Sequence, residues 1–348
     1  MSEEIDKELE LAMSGDPEAQ NRLGVAYMNG KGVKINFVEA HKWFRLAADK
    51  GHVNAQYNLG IMHHRWNYGP KDYTESMKWL RLAADQGHAG AACGIGVMYR
   101  DGTGVLQDSS EAIKWFKIDI EKEYPIAAAE MATMYRDGIG LPQNGEEAVK
   151  WFRLSADQGY SHARYSLGMM YRDGKGVPQD SNEAIRWFKV DIEDEHNYAI
   201  EIAKIHLHGI GVPQNGEEAV KWYKIAAEKS YLGAIKIAEM YRDGIGVPQN
   251  GEEVVKWYKI AAEKDKHAMT MIGYAYLYGI GVIKDTERAI KCYKIAAEEG
   301  DDFAMRVLGN IYEEGEIVPR DKEEAIKWYK LAVDRSLCGK ALLRLQES

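Results

Sequence analysis

Tryptophan recurs along the chain at an almost constant interval of 35 or 36 residues, with Cys292 standing in place of one of them. The members of the series are Trp43, Trp79, Trp115, Trp151, Trp187, Trp222, Trp257 and Trp328. A glycine lies thirteen residues before each position, except in the second unit, where Trp66 takes that place. Nine units in register, from about residue 19 to residue 339, predict a repeat array.

Each unit contains two amphipathic helical patterns separated by a glycine-containing turn. In the fifth unit, Ala163, Leu167, Gly168 and Tyr171 lie 4, 1 and 3 residues apart, which places them on one face of a first helix, helix A. The segment Gly174–Pro178 then predicts a turn, because glycine suits the left-handed end of a helix. We therefore expect the core face of helix A at 11, 7, 6 and 3 residues before the turn glycine.

A second helix, helix B, is predicted to begin at an asparagine or aspartate in every unit. These residues are Asn36, Asp72, Asp108, Asn144, Asp180, Asn215, Asn250, Asp285 and Asp321. Glutamate follows three residues later in every unit except the eighth, which has Arg288, so the pattern predicts a capping box. The tryptophan and an aromatic residue follow, and we expect this aromatic series to be core.

The two ends of the chain resemble incomplete repeats. Residues 1–18 resemble an isolated helix B, and residues 340–348 resemble a truncated helix A. Both are polar enough to serve as the solvated ends that a solenoid needs. The predicted organisation is an N-terminal capping helix over 1–18, nine repeats over 19–339 and a C-terminal capping helix over 340–348.

Composition argues against several classes of protein. A pI near 5.7 argues against a general nucleic-acid binder. Three cysteines without a C-x-x-C pair exclude a disulfide framework and a thiolate zinc site. The start MSEEIDKELE has no apolar run, so neither a signal peptide nor a membrane span is expected. The sequence therefore predicts a cytoplasmic monomer that holds no metal or cofactor and binds neither nucleic acid nor the membrane interior.

The repeated motif A-x-x-x-L-G-x-x-Y-x-x-G-x-G-V, followed by D/N-x-x-E-A-x-x-W-[YF], resembles the Sel1-like repeat of the tetratricopeptide-repeat superfamily. The fifth unit carries it as Ala163, Leu167, Gly168, Tyr171, Gly174, Gly176, Val177, Asp180, Glu183, Ala184, Trp187 and Phe188. The resemblance covers more than 90% of the chain. It implies an all-α fold, an α-solenoid with a right-handed superhelix of nine helix-turn-helix repeats, used as a scaffold for protein partners.

The same resemblance places helix A on the concave side of the superhelix. The positions 9, 5 and 2 residues before the turn glycine form a second stripe on helix A, which we expect to face the groove. Its apolar and aromatic character suits a peptide or a helical segment of another protein. The predicted partner-binding residues of this stripe, apart from its arginines, are Tyr57, Ile61, His64, Tyr165, Met169 and Tyr274.

Four arginines share the last position of this stripe: Arg100, Arg136, Arg172 and Arg242. A ladder of guanidinium groups could grip an acidic or phosphorylated segment by bidentate contacts. Each arginine is also followed by an aspartate, so the alternative interpretation is a set of inter-repeat ion pairs of little energetic weight. The sequence leaves both interpretations open.

Two further features break the pattern of the repeats. Trp66 replaces a turn glycine beside Arg65 and Tyr68, which is either a partner-binding group or a differently closed loop with the indole packed on its neighbour. Asp119 and Asp191 stand where other repeats have alanine or serine. A carboxylate there needs a hydrogen-bond partner if it is buried, so we expect a structural role rather than an acid–base pair.

These features favour a non-enzymatic scaffold that binds a peptide or helical segment in its groove. A first alternative is a secreted-type effector or regulator that engages a host or toxin partner. A second alternative is an enzyme or small-ligand sensor, because the resemblance extends to members described as binding or hydrolysing β-lactams. Those members are secreted and carry a cysteine pair in each repeat, which Cys93, Cys292 and Cys338 do not reproduce.

Overall fold

Nineteen α-helices and no β-strand make up the part of the chain that the computed structural model describes, residues 3–64, 71–190 and 196–332. The chain divides into two units, Met1–Gln179 and Asp180–Ser348. The first unit contains α1 (Glu3–Met13), α2 (Pro17–Asn29), α3 (Phe37–Asp49), α4 (Val53–His64), α5 (Tyr73–Asp85), α6 (Ala91–Asp101), α7 (Ser109–Ile120), α8 (Pro125–Asp137), α9 (Gly145–Asp157) and α10 (Ser161–Asp173).

The second unit continues the same alternation of helices. It contains α11 (Ser181–Lys189), α12 (His196–His208), α13 (Gly216–Lys229), α14 (Tyr231–Asp243), α15 (Gly251–Ala262), α16 (Lys266–Tyr278), α17 (Thr286–Glu298), α18 (Asp302–Glu314) and α19 (Lys322–Leu331). Even-numbered helices are helix A of the repeats, and the odd-numbered helices after α1 are helix B. Within each unit, neighbouring helices in the chain pack against each other, which confirms the predicted array of helical hairpins.

The residue after the tryptophan, rather than the tryptophan itself, forms the centre of each repeat. The fully buried side chains in this position include Phe44, Phe116, Phe152, Phe188, Tyr223, Tyr258, Tyr293 and Tyr329. Helix A makes room for them with a glycine: a Cβ on Gly96 would lie 2.6 Å from the ring of Phe116. Ala and Gly on helix A thus admit an aromatic ring from helix B of the same repeat.

Two predictions about the core are confirmed only in part. Among the series tryptophans, Trp79, Trp257 and Trp328 are buried, and the others are only half-buried. On helix A, the tyrosine three residues before the turn glycine was predicted to be core, but it is half-buried. The residue just before this tyrosine is buried instead, as at Met98 and Met134. The reason is that this tyrosine lies at the end of the helix, beside the turn, where part of its ring meets solvent.

The turn between the two helices closes within each repeat. In the third repeat, Gly102 ends α6 in the left-handed conformation, with φ of 67°. The N-cap residue Asp108 accepts hydrogen bonds from the backbone of α7, as predicted. Its own backbone N–H donates to the carbonyl of Tyr99 at 2.9 Å. The side chain of Gln107 donates to the carbonyl of Arg100 at 2.8 Å. A carbonyl group at the open end of helix A therefore also has a hydrogen-bond partner.

The predicted capping box is only half formed. Because the backbone N–H of the N-cap already has a partner in helix A, the glutamate three residues later is used differently. Glu75 accepts a hydrogen bond of 2.8 Å from the indole Nε1 of Trp79 and one of 3.1 Å from Lys78. The same glutamate–indole bond occurs at Trp151, Trp257 and Trp328. This glutamate therefore fixes the tryptophan rather than the helix start.

Candidate functional site

The predicted groove stripe of helix A is partly covered by neighbouring helices. At the position nine residues before the turn glycine, Asn21, Cys93, Ala129, Ile200 and Thr270 are buried. Tyr57 and Tyr165 occupy the same position and are half-buried. The accessible part of the stripe therefore lies mainly at its other two positions.

A cleft of about 740 Å³ lies beside this stripe in the first unit. Its lining comes from the end of α8, from α10 and from the turns that follow them: Arg136, Asp137, Gln143, His162, Tyr165, Ser166, Met169, Met170, Asp173 and Lys175. Three predicted partner-binding residues, Arg136, Tyr165 and Met169, therefore come together at one place. Apolar side chains adjoin charged groups of both signs there.

Each arginine of the predicted ladder is paired with the aspartate that follows it in its own helix. Arg136 donates from Nε to one oxygen of Asp137 and from Nη2 to the other, both at 2.7 Å. This hydrogen bond from Arg136 holds the pKa of Asp137 below its usual value. The Cζ of Arg136 also lies 5.6 Å from the ring centre of Phe152.

The other members of the ladder vary around this arrangement. Arg172 bonds Asp173 at 2.6 Å, and Arg242 bonds Asp243 at 2.7 Å. Arg100 bonds Asp101 and also reaches Glu130 in the next repeat. The ion pairs therefore lie mostly within one repeat instead of between repeats, and ligand binding by the arginines stays a prediction.

The remaining predicted residues lie apart from the cleft. The ring of Tyr57 stacks on His88 with centroids 4.2 Å apart, and His64 lies 3.4 Å from the hydroxyl of Thr103. Ile61 is half-buried. Tyr274, in the second unit, is 40% exposed and packs on Tyr278 with ring centroids 4.6 Å apart. Trp66 lies outside the described residues.

Asp119 is fully buried and has hydrogen-bond partners, as predicted. Its Oδ2 accepts from the backbone N–H groups of Gly90 and Cys93 at the start of α6. Burial raises the pKa of the Asp119 carboxyl group. Asp191 lies outside the described residues.

The sequence analysis did not predict that lysine and arginine side chains lie close to the tryptophan rings of helix B. Trp257 lies between two lysines, with Lys256 Nζ 5.7 Å and Lys224 Nζ 5.8 Å from its ring centre. Arg45 and Lys78 flank Trp79 in the same way, at 5.1 Å and 5.0 Å. Such contacts are typical of cation–π pairing. The signal was present in the sequence, because every repeat has Lys or Arg one residue before and two residues after the tryptophan position.

Nine consecutive segments of the chain match the family model described as the Sel1 repeat: residues 17–52, 53–88, 89–118, 125–160, 161–189, 195–231, 232–266, 266–301 and 302–337. The chain belongs to the Sel1 repeat family. Its fold is accordingly an all-α solenoid of nine Sel1 repeats.

Two solved structures of Sel1 repeat proteins are similar to the chain. One is a protective antigen present in uropathogenic Escherichia coli strains, 26% identical, with a TM-score of 0.51; the match covers 99% of this chain and 90% of that one. The other is a Sel1 repeat protein from Oxalobacter formigenes, 27% identical, with a TM-score of 0.53, covering 87% and 89%. A search of curated proteins gave no match.

Sel1 repeats are generally non-catalytic, and repeat folds of this kind typically bind other proteins. Across residues 3–64, 71–190 and 196–332, the structure contains no helix with the length and apolarity needed to cross a bilayer. In the same ranges, no three His, Cys, Asp or Glu side chains lie close enough to hold a metal ion.

Proposed function

We propose that this Sel1 repeat protein is a non-enzymatic scaffold that binds a segment of another protein in the cleft beside α10. The observation that carries the proposal is the convergence of Tyr165 and Met169 with Arg136 in one cleft of about 740 Å³. Met and Tyr adapt to varied partner side chains, and arginine adds directional hydrogen bonds. The bound segment is a peptide or helix with an apolar anchor and adjoining charged residues.

Charged groups at the cleft define the partner further. Arg136 already uses one edge of its guanidinium on Asp137, so it can accept a carboxylate or phosphate on its remaining Nη1 without breaking that pair. Lys175 is exposed and adds a second cation to the lining. An acidic or phosphorylated residue next to the apolar anchor would therefore be recognised. We further propose that the protein acts as a cytoplasmic monomer without a cofactor.

Affinity purification with quantitative mass spectrometry tests this function. The tagged wild-type chain is compared with Tyr165→Ala/Met169→Ala and with Lys175→Glu, and the circular dichroism spectrum of each variant checks its folding. Tyr231→Ala is the matched control, because Tyr231 is 38% exposed and lies outside the cleft. We expect a specific partner to be lost from both cleft variants and retained by the control.

The purified partner then gives the affinity. A hot-spot pair at the centre of an interface contributes roughly 2 kcal/mol or more, so the double variant should weaken binding about thirtyfold. If wild type and both cleft variants bind the partner with equal affinity, this cleft is not the binding site.

A second candidate function is engagement of a host protein by an exported form of the chain. The observation that favours it is the similarity over 99% of this chain to a protective antigen of uropathogenic Escherichia coli. Fractionation of cells that express the untagged chain distinguishes the two. Recovery from the culture medium supports the second candidate, and recovery only from the cytoplasmic fraction supports the first.

A further inference from the structure

The eighth repeat lacks both members of the glutamate–tryptophan pair that recurs in helix B. In the seventh repeat, Glu253 bonds the indole of Trp257, four residues later, at 2.8 Å. The corresponding residues of α17 are Arg288 and Cys292. The two exceptions lie one helical turn apart, so one local region of the repeat has lost an indole and exchanged a carboxylate for a guanidinium.

The cations that flank the tryptophan elsewhere are retained around Cys292. Its thiol is half-buried, and burial raises its pKa, while the charges of Lys259 and Lys291 act in the opposite direction. These two lysines occupy the positions that Lys224 and Lys256 hold beside Trp257. Within the described ranges of the chain, neither Lys259 nor Lys291 forms an ion pair. The eighth repeat therefore keeps its two cations without the aromatic ring between them.

A cleft of about 960 Å³ lies at this place, between α15 and the start of α17. It is lined by Gly251, Glu252, Val255, Lys256, Lys259, Tyr276, Gly281, Val282, Ile283, Asp285 and Arg288. Ile283 is 90% exposed, and the ring centre of Tyr276 lies 5.7 Å from the guanidinium carbon of Arg288. An indole at position 292 would lie one helical turn after residue 288, as Trp257 lies one turn after Glu253.

The charge balance of the lining is set by the exchange at position 288. The lining has three cationic side chains and two carboxylates. With the glutamate found in the other repeats, it would have two cations and three carboxylates. Arg288 bonds Asp285 through Nε at 3.1 Å and is 67% exposed, so the rest of its guanidinium is accessible. Cations beside exposed apolar groups complement a segment that carries both an acidic and an apolar residue.

We propose that this cleft binds a segment of a partner protein in which a carboxylate side chain neighbours a large apolar one. The carboxylate meets Lys259 and Arg288, and the apolar side chain packs on Tyr276 and Ile283. This site does not depend on the cleft at Arg136, so either can fail without the other.

Fluorescence anisotropy with three labelled peptides tests the site. The probe has the core Glu-Leu-Glu-Phe-Glu, the second peptide replaces Glu with Gln, and the third replaces Leu and Phe with Ser. We expect the probe to bind the full chain about tenfold more tightly than either comparison peptide, because each lacks one of the two required groups. Salt should weaken the probe's binding, since the lysines are exposed.

Variants of the chain assign the binding to the cleft. Arg288→Glu/Cys292→Trp restores the pair of the other repeats and should weaken probe binding about tenfold. Ile283→Ser is a second variant, and we expect it to fold normally because the side chain of Ile283 is exposed. It should also weaken binding of the probe. Lys221→Glu is the control, since it makes the same charge change at an exposed position of helix B in the sixth repeat.

The proposal is overturned by equal affinity for the probe and the Gln peptide, by equal affinity for the probe and the Ser peptide, or by unchanged binding in both cleft variants. Equal binding of the Ser peptide together with competition by inorganic phosphate would identify a plain anion site instead. Loss of binding in Tyr165→Ala/Met169→Ala would place the peptide in the other cleft.

Discussion

The carboxylate of Asp119, near the end of α7, accepts a hydrogen bond of 2.7 Å from the backbone N–H of Cys93, near the start of α6. The backbone N–H of Gly90 donates to the same oxygen at 2.9 Å. Since the N-cap residue Gly90 has no side chain, α6 receives its cap from the other helix of the repeat. The hydrogen bonds thus connect the open ends of the two helices.

Replacement of this remote cap should destabilise the third repeat. Asp119→Ala leaves two N–H groups unsatisfied in a buried place, and we expect the free energy of unfolding to fall by about 2 kcal/mol. Asp119→Asn should cost less, because its amide oxygen still accepts and no charge is buried. Urea denaturation followed by circular dichroism measures both. Equal losses for the two variants would contradict the capping role.

The glutamate–indole bond should contribute measurably to stability. Glu253→Ala removes the acceptor of the 2.8 Å bond from Trp257, and we expect a loss of about 1 kcal/mol in the free energy of unfolding. Glu252→Ala is the matched control, because the neighbouring glutamate is exposed and has no indole partner. The urea midpoints of the two variants give the comparison. A midpoint for Glu253→Ala no lower than that of Glu252→Ala would count against the bond.

Acid should weaken the contact between the first two repeats. His41 and His63 lie with their Nε2 atoms 3.4 Å apart, and burial lowers the pKa of both rings. In the unfolded chain, the pKa of a histidine side chain is about 6.5. The unfolded chain therefore binds more protons below that pH, and the free energy of unfolding should fall as the pH decreases from about 6.5.

Substitution of the histidine pair should reduce this pH dependence. In His41→Gln/His63→Gln, the difference between urea midpoints at neutral and mildly acidic pH should be smaller than in wild type. It should not vanish, because burial also lowers the pKa of His88 and His206. His208→Gln serves as the control at an exposed position. An unchanged slope in the double variant would show that the pair does not carry the effect.

Gly145, the first residue of α9, lies in close contact with the backbone of the next repeat. A Cβ on Gly145 would lie 1.8 Å from the carbonyl oxygen of Gly176. Gly145→Ala must therefore separate two backbones, and we expect a loss of at least about 2 kcal/mol. Glu146→Ala, at the exposed next position, should change stability little. Thermal unfolding of the two variants checks the prediction, which a normal melting temperature for Gly145→Ala would refute.

The sequence was sufficient for the local structure of the repeats. The turn glycines and the Asn or Asp residues mark helix ends because their effects act within a few residues, and Asp108 and Gly102 behave as predicted. The prediction failed where a partner came from another helix. In the second repeat, the backbone N–H of the N-cap residue Asp72 donates to the carbonyl of His63, and Glu75 bonds the indole of Trp79 instead.

The candidate site could be predicted only in part, for the same reason. Tyr165, Met169 and Arg136 were found because their spacing within each helix A is regular. The burial of Cys93, in the same position as Tyr165, depends on how closely the neighbouring helices approach. Arg288 lines the cleft of the eighth repeat, and its exchange for the usual glutamate can be understood only once the contact between Glu253 and Trp257 is known.

The bonds that close the turn have a consequence for how such a chain changes over time. The amide of Asp108 and the side chain of Gln107 both find their acceptors inside the repeat to which they belong. Gain or loss of one entire repeat breaks neither bond, whereas loss of the end of helix A without the turn that follows removes both acceptors. Recombination between the similar stretches of its gene can therefore lengthen or shorten this protein in whole repeats. In a chain of any such length, each turn keeps the hydrogen bonds that close it.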